Sequence, residues 1–127
     1  MAGLVLEVLA GDFTVSRLSP GEPVPPWATA ADFSSVTRTA EELSIICPSS
    51  QVPAVIKSER GWSLVKFCGP LDFGAVGVLA AVTAPLARAG ISLLAIGTFD
   101  TDYVLIKSVR LDEAVRVLEA AGHTVRR

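Results

Sequence analysis

Along the second half of the chain, apolar positions gather into short runs whose spacing switches between the period of a strand and that of a helix. Trp62 to Cys68 is a compact apolar run with β-branched and aromatic content, closed by Gly69-Pro70, and predicts a strand. Beyond Asp72 the period changes. Val76, Leu79, Ala80, Thr83, Leu86 and Ala87 recur at i, i+3 and i+4, predicting a helix from about Gly74 to Ala89 with Gly90 as its terminating residue. Pro85 inside it withholds one amide from the carbonyl of Ala81, so a kink or tightened turn is expected there. Ile91 to Thr98 and Tyr103 to Lys107 read as two strands around the tight connection Phe99-Asp100-Thr101-Asp102. Leu111, Ala114, Val115, Leu118 and Ala121 predict a last helix. Asp112 and Glu113 lie at its favourable dipole end, and Gly122 stops it before a short strand at Thr124 to Arg126.

That order, β-α-β-β-α-β, is the split βαβ arrangement of a ferredoxin-like α+β sandwich. The first half is less regular. Leu4 to Leu9 and Phe13 to Leu18 predict strands joined by Ala10-Gly11-Asp12, and a proline-rich stretch follows from Ser19, with room for a short helix at Trp27 to Ala31. Ser35 to Thr39 and Leu43 to Cys47 predict a second pair, ended by Pro48, and Val52 to Ile56 has the length of one or two helical turns. The segment Thr37 to Ile46 echoes Gly97 to Ile106: each is a strand, a Thr-rich acidic turn and a strand. The expected division is an N-terminal unit over residues 1–60 and a C-terminal one over 61–127.

Half of the residues are hydrophobic and 19% are charged, which excludes a disordered chain. The apolar stretch from Gly74 to Ile106 is interrupted by Arg88, Gly90, Asp100 and Asp102 too often for a transmembrane helix, so the hydrophobic excess is assigned to an oligomer interface. Met1 to Leu9 has no basic region and carries Glu7, unlike a signal peptide, and a cytoplasmic location is expected. A net charge of −2 with scattered Lys and Arg leaves no footprint for nucleic acid. Cys47, Cys68 and the sole histidine, His123, do not make a metal-ligand set. Both thiols read as buried and reduced, with a disulfide or redox switch as the alternative, and His123 reads as capping carbonyls or facing water. No Ser-His-Asp set or phosphate loop can be assembled, and the glycines from Gly69 to Gly77 do not fit the dinucleotide fingerprint. The expectation is a protein without catalytic residues, metal or cofactor.

Several segments together resemble a known family: Ser35-Val36-Thr37-Arg38-Thr39, Glu42-Leu43-Ser44-Ile45, Gly69-Pro70-Leu71-Asp72-Phe73, Pro85-Leu86-Ala87-Arg88-Ala89-Gly90-Ile91-Ser92 and Thr98-Phe99-Asp100-Thr101-Asp102-Tyr103. They are similar to small bacterial tandem ACT-domain proteins and, more distantly, to the ACT pairs of animal cytosolic arginine sensors. The resemblance implies two ferredoxin-like ACT units, the N-terminal one shortened, that pair their sheets side by side in a homodimer or larger homo-oligomer and hold a free amino acid. Ligand contacts implied by the resemblance are Leu71, Asp72 and Phe73 before the first helix, and Thr98, Phe99 and Asp102 in the hairpin; Gly74, among the amides of the helix start, and Asp100 join them as ligand-binding candidates on chemical grounds. An ACT-like unit is expected to report to something that reads its state, here a separate effector protein or none, and the charge and hydropathy patterns leave no expectation of a membrane or nucleic-acid partner.

The chemistry agrees with that ligand. Amides at a helix start suit a carboxylate, Asp102 or Asp100 suits an ammonium, and Thr98 offers a hydroxyl. Each residue also has a plainer role: Asp72 as a helix N-cap, Asp100 and Asp102 as turn formers, Phe99 as a seam-filling aromatic, Arg38 as a solvated strand residue, and Trp27 and Trp62 as core. Three functions therefore compete: an amino-acid-responsive regulatory module, an interaction protein that has lost its pocket, and a thiol-dependent enzyme or sensor.

Overall fold

The computed structural model describes residues 3–69 and 76–127. The chain divides into two compact units, Met1–Ala10 with Ser63–Arg127, and Gly11–Trp62. Division at 60/61 would have put the first strand with the N-terminal half. It joins the C-terminal half because β1 (Val5–Val8) is hydrogen-bonded on both sides there: antiparallel to the second half of β5 (Ser58–Phe67) and parallel to β8 (Thr124–Arg126).

In this larger unit the strand order is β8-β1-β5-β7-β6, with β6 at Leu93–Gly97 and β7 at Asp102–Lys107. Helices α1 (Val78–Arg88) and α2 (Leu111–Ala120) cover one face. The core lies between, where Leu6, Val65, Phe67, Val104 and Ile106 of the strands meet Val82 and Leu86 of α1 and Leu111, Ala114, Val115 and Leu118 of α2. Truncating a side chain as buried as Leu86 costs about 2–5 kcal/mol. The expected ferredoxin-like βαββαβ order is present, and the N-terminal strand has entered it beside β5.

Helix α1 departs from expectation in its start and its face. It begins at Val78 rather than Gly74, because Gly77 adopts a positive φ of 79° and holds the cap position without a side-chain bond. The expected cap, Asp72, lies outside the described residues. Its buried face is Val82, Pro85 and Leu86, flanked by Val78 and Ala89, whereas Val76 and Leu79 are exposed. The helix carries a single charge, Arg88, so an apolar period could not choose among its sides.

Pro85 leaves the Ala81 carbonyl without its helical donor, and another segment supplies one. His123, just past α2, places Nε2 2.9 Å from that carbonyl oxygen. Its Nδ1 accepts the Leu4 amide at 3.0 Å, so Nε2 carries the proton and donates. His123 is thus buried and fully engaged rather than facing water. The approach is tight: a Cβ on Gly3 would stand 2.0 Å from the Gly122 oxygen.

The smaller unit contains β2 (Phe13–Leu18), β3 (Ser35–Arg38), β4 (Leu43–Pro48) and the first half of β5, in the order β3-β4-β2-β5. Ala28, Leu43, Ile45, Cys47 and Val52 form its core, with Trp27 packed against it. Its described residues include no α-helix. The expected short helix is one 3-10 turn at Pro26–Thr29, and the turn near Val52 falls earlier, at Ser49–Gln51. Val52 itself is extended (ψ 120°), as a residue before proline prefers. Strand β5 starts four residues before Trp62 because a bulge carries it: β2 advances from Phe13 to Val15 while β5 moves from Trp62 back to Glu59, and Gly61 absorbs the extra residue at φ 84°. Arg38 is exposed on β3, as a solvated strand residue is, and it donates from Nη1 to the carbonyls of Pro20 and Glu22, tying down the proline-rich segment. No helix among the described residues is long and apolar enough to cross a membrane.

The imidazole bridge yields a test by urea denaturation. His123→Ala should destabilise the protein by about 1–3 kcal/mol, because it leaves the Leu4 amide and the Ala81 carbonyl unpaired. In a Pro85→Ala background, where residue 85 regains an amide for Ala81, the same substitution should cost measurably less; equal cost in both backgrounds would refute the bridge.

Candidate functional site

A cavity of about 290 Å³ opens where the β6–β7 hairpin meets the end of β5, lined by Lys66, Gly69, Thr98, Asp100, Thr101 and Tyr103. All six belong to the larger unit. Lys66 reaches it by strand alternation: Val65 and Phe67 enter the core beneath the helices, so Lys66 points from the opposite face of the sheet. Tyr103 precedes the core residue Val104 and shares Lys66's side.

The hairpin loop is closed by threonines. The Thr98 amide donates to the Thr101 carbonyl at 2.9 Å; the Thr98 hydroxyl donates to the same carbonyl at 2.8 Å and accepts the Thr101 amide at 3.2 Å. Thr101 is itself buried, and its hydroxyl donates to the Phe67 carbonyl at 2.5 Å, fastening the hairpin to β5. Both hydroxyls are therefore engaged in holding the wall. The charged side chains are not: among the described residues neither Lys66 nor Asp100 has an ion-pair or hydrogen-bonding partner.

Of the candidate ligand residues, the structure brings Thr98 and Asp100 into the cavity. Phe99 is 80% exposed. Asp102 opens β7 opposite Gly97, on the Val104 side of the strand, so it turns away from Lys66 and Tyr103. Leu71, Asp72, Phe73 and Gly74 lie outside the described residues, directly after the lining residue Gly69. Lys66, Thr101 and Tyr103 were not singled out from the sequence, although Lys66 is the one charged residue in the run from Trp62 to Cys68.

The thiols differ from one another. Both are free; Cys47 is buried, and Cys68, expected to be buried, is half-exposed, with Arg126 Nη2 3.1 Å from its sulfur. Burial pushes the Cys47 thiol above its ordinary range, which keeps it protonated and inert. No group of three or more His, Cys, Asp or Glu side chains among the described residues could hold a metal ion.

Fold and pocket together define a ferredoxin-like α+β protein with a polar, two-charge cavity at its hairpin. A family model described as ACT domain matches residues 57–120, and the chain belongs to that family. A second model, described as the N-terminal domain of a protein family, matches residues 11–55. A solved protein from Agrobacterium tumefaciens is 37% identical, with TM-score 0.93 over 98% of this chain and 93% of that one. A Vibrio cholerae protein described as of unknown function and possibly in transport is 21% identical, with TM-score 0.76 over 94% and 91%. The regulatory subunit of aspartate kinase from Thermus thermophilus, in ligand-free form, is 14% identical, with TM-score 0.64 over 91% and 96%, a likeness of fold. No curated protein matches the chain.

In thiol labelling of the native protein followed by peptide mass mapping, Cys47 should react far more slowly than Cys68. Labelling of Cys47 at the rate of a free thiol would show that its site opens readily.

Proposed function

We propose that this chain is a non-catalytic regulatory protein of the cytoplasm that binds a free amino acid in the hairpin cavity and passes its occupancy to a separate effector protein. The observation that carries this reading is the cavity's place. It contains Thr98, which the ACT resemblance assigns to ligand, and Asp100, a carboxylate suited to an ammonium, and it is lined by Gly69, which precedes in sequence the segment holding Leu71 to Gly74. The match to an ACT model over residues 57–120 supports the same reading, as does the shared fold of an aspartate kinase regulatory subunit. On this reading the two units are a tandem ACT pair, the N-terminal one shortened.

The proposal includes a second copy of the chain. Among the described residues β6 pairs with β7 alone, so its other edge offers unpaired backbone groups. Leu94 of β6 is exposed on the sheet face away from the helices, and Leu79 is exposed on α1, which carries only one charge. Joining two such edges covers both and accounts for the hydrophobic excess.

A thermal-shift screen against the common amino acids, each at millimolar concentration, tests the ligand. One or a few chemically related amino acids should raise Tm saturably by mass action; no rise with any of them would favour an interaction protein without a working pocket. Light scattering at micromolar concentration should report a dimer or larger assembly, and a monomer would overturn the proposed second copy.

A further inference from the structure

We infer that the cavity selects zwitterions, with Lys66 receiving the carboxylate and Asp100 the ammonium of an α-amino acid. This rests on the functional reading above and adds the two residues that divide the ligand's charges.

The argument begins with opposite charges that share a cavity and do not meet. Elsewhere in this unit charged groups find one another: Arg110 lies 2.8 Å from Glu113, and Arg127 lies 2.9 Å from Asp112. Lys66 and Asp100 line the same 290 Å³ space, yet neither forms an ion pair with the other or with any described residue. Each is held by a firm support. Lys66 projects from β5, a strand with β1 on one side and β7 on the other. Asp100 sits in a loop closed by the hydrogen bonds of Thr98 and Thr101.

The remaining polar groups sharpen the choice. Because the hydroxyls of Thr98 and Thr101 already serve the hairpin and the Phe67 carbonyl, they do not neutralise either charge. An anion entering the cavity gains Lys66 and is repelled by Asp100; a cation meets the reverse. A molecule carrying a carboxylate and an ammonium satisfies both and replaces the missing ion pair. Charge-assisted hydrogen bonds of this kind discriminate by about tenfold each when one partner is removed.

Calorimetric titration of the full chain tests this with matched probes: each common L-amino acid, its α-amide, which lacks the carboxylate, and its α-hydroxy acid, which lacks the ammonium. Wild-type protein should bind at least one amino acid about tenfold or more tightly than either analogue. Lys66→Gln should bring the ratio of amino acid to amide towards one while sparing discrimination against the hydroxy acid. Asp100→Asn should do the opposite. Glu7→Gln, changing the cross-strand neighbour of Lys66 outside the lining, should keep both ratios. Melting temperatures without ligand establish that each variant is folded. Unchanged ratios in both charge variants would overturn the inference while leaving amino-acid binding intact. Absence of binding by wild-type protein would overturn both.

Discussion

One imidazole holds three distant segments of the larger unit together. His123 accepts from Leu4 at the start of the chain and donates to Ala81 inside α1, while itself sitting in the turn between α2 and β8. The bridge exists because Pro85 leaves a carbonyl open and because Gly3 lets the chain pass against Gly122. Replacing His123 strands buried polar groups, and a side chain at Gly3 forces the backbones apart.

The hairpins of the two units use the same local device. In β6–β7, Thr98 closes the loop onto Thr101; in β3–β4, the Thr39 amide donates to the Glu42 carbonyl at 2.9 Å, and its hydroxyl accepts the amides of Glu41 and Glu42 at 3.1 Å. The echo noticed in the sequence is real at this level but one residue out of step. Thr39 corresponds structurally to Thr98, not to Phe99. A threonine that satisfies its own turn gives a rigid loop, and rigidity is what a loop carrying Asp100 to a cavity requires.

Most of the fold was legible because short strands with Gly, Pro and acidic punctuation declare themselves. Phe13–Leu18 and Thr124–Arg126 agree with expectation to the residue. Three features stayed hidden for physical reasons. A helix apolar on nearly every side gave no face, a glycine bulge concealed the polar beginning of β5, and long-range pairing placed β1 with segments far downstream. At the site, resemblance supplied Thr98 and the chemistry of an ammonium supplied Asp100, while Lys66 joined them only when the sheet brought the end of β5 to the hairpin. Asp102, equally acidic and two residues away, was separated from Asp100 by the alternation of β7.

The insertion of β1 between β5 and β8 also imposes an order on biosynthesis. The ribosome releases β1 before the other strands described, yet its partners come from residues 65–67 and 124–126, so it must wait while the segment from Gly11 to Trp62 is made. That segment has its own core and is free to condense early. The larger unit is completed only when β8 has left the exit tunnel, and until then the β8 edge of β1 stays unpaired. During that interval the nascent chain is most exposed to mispairing with another copy.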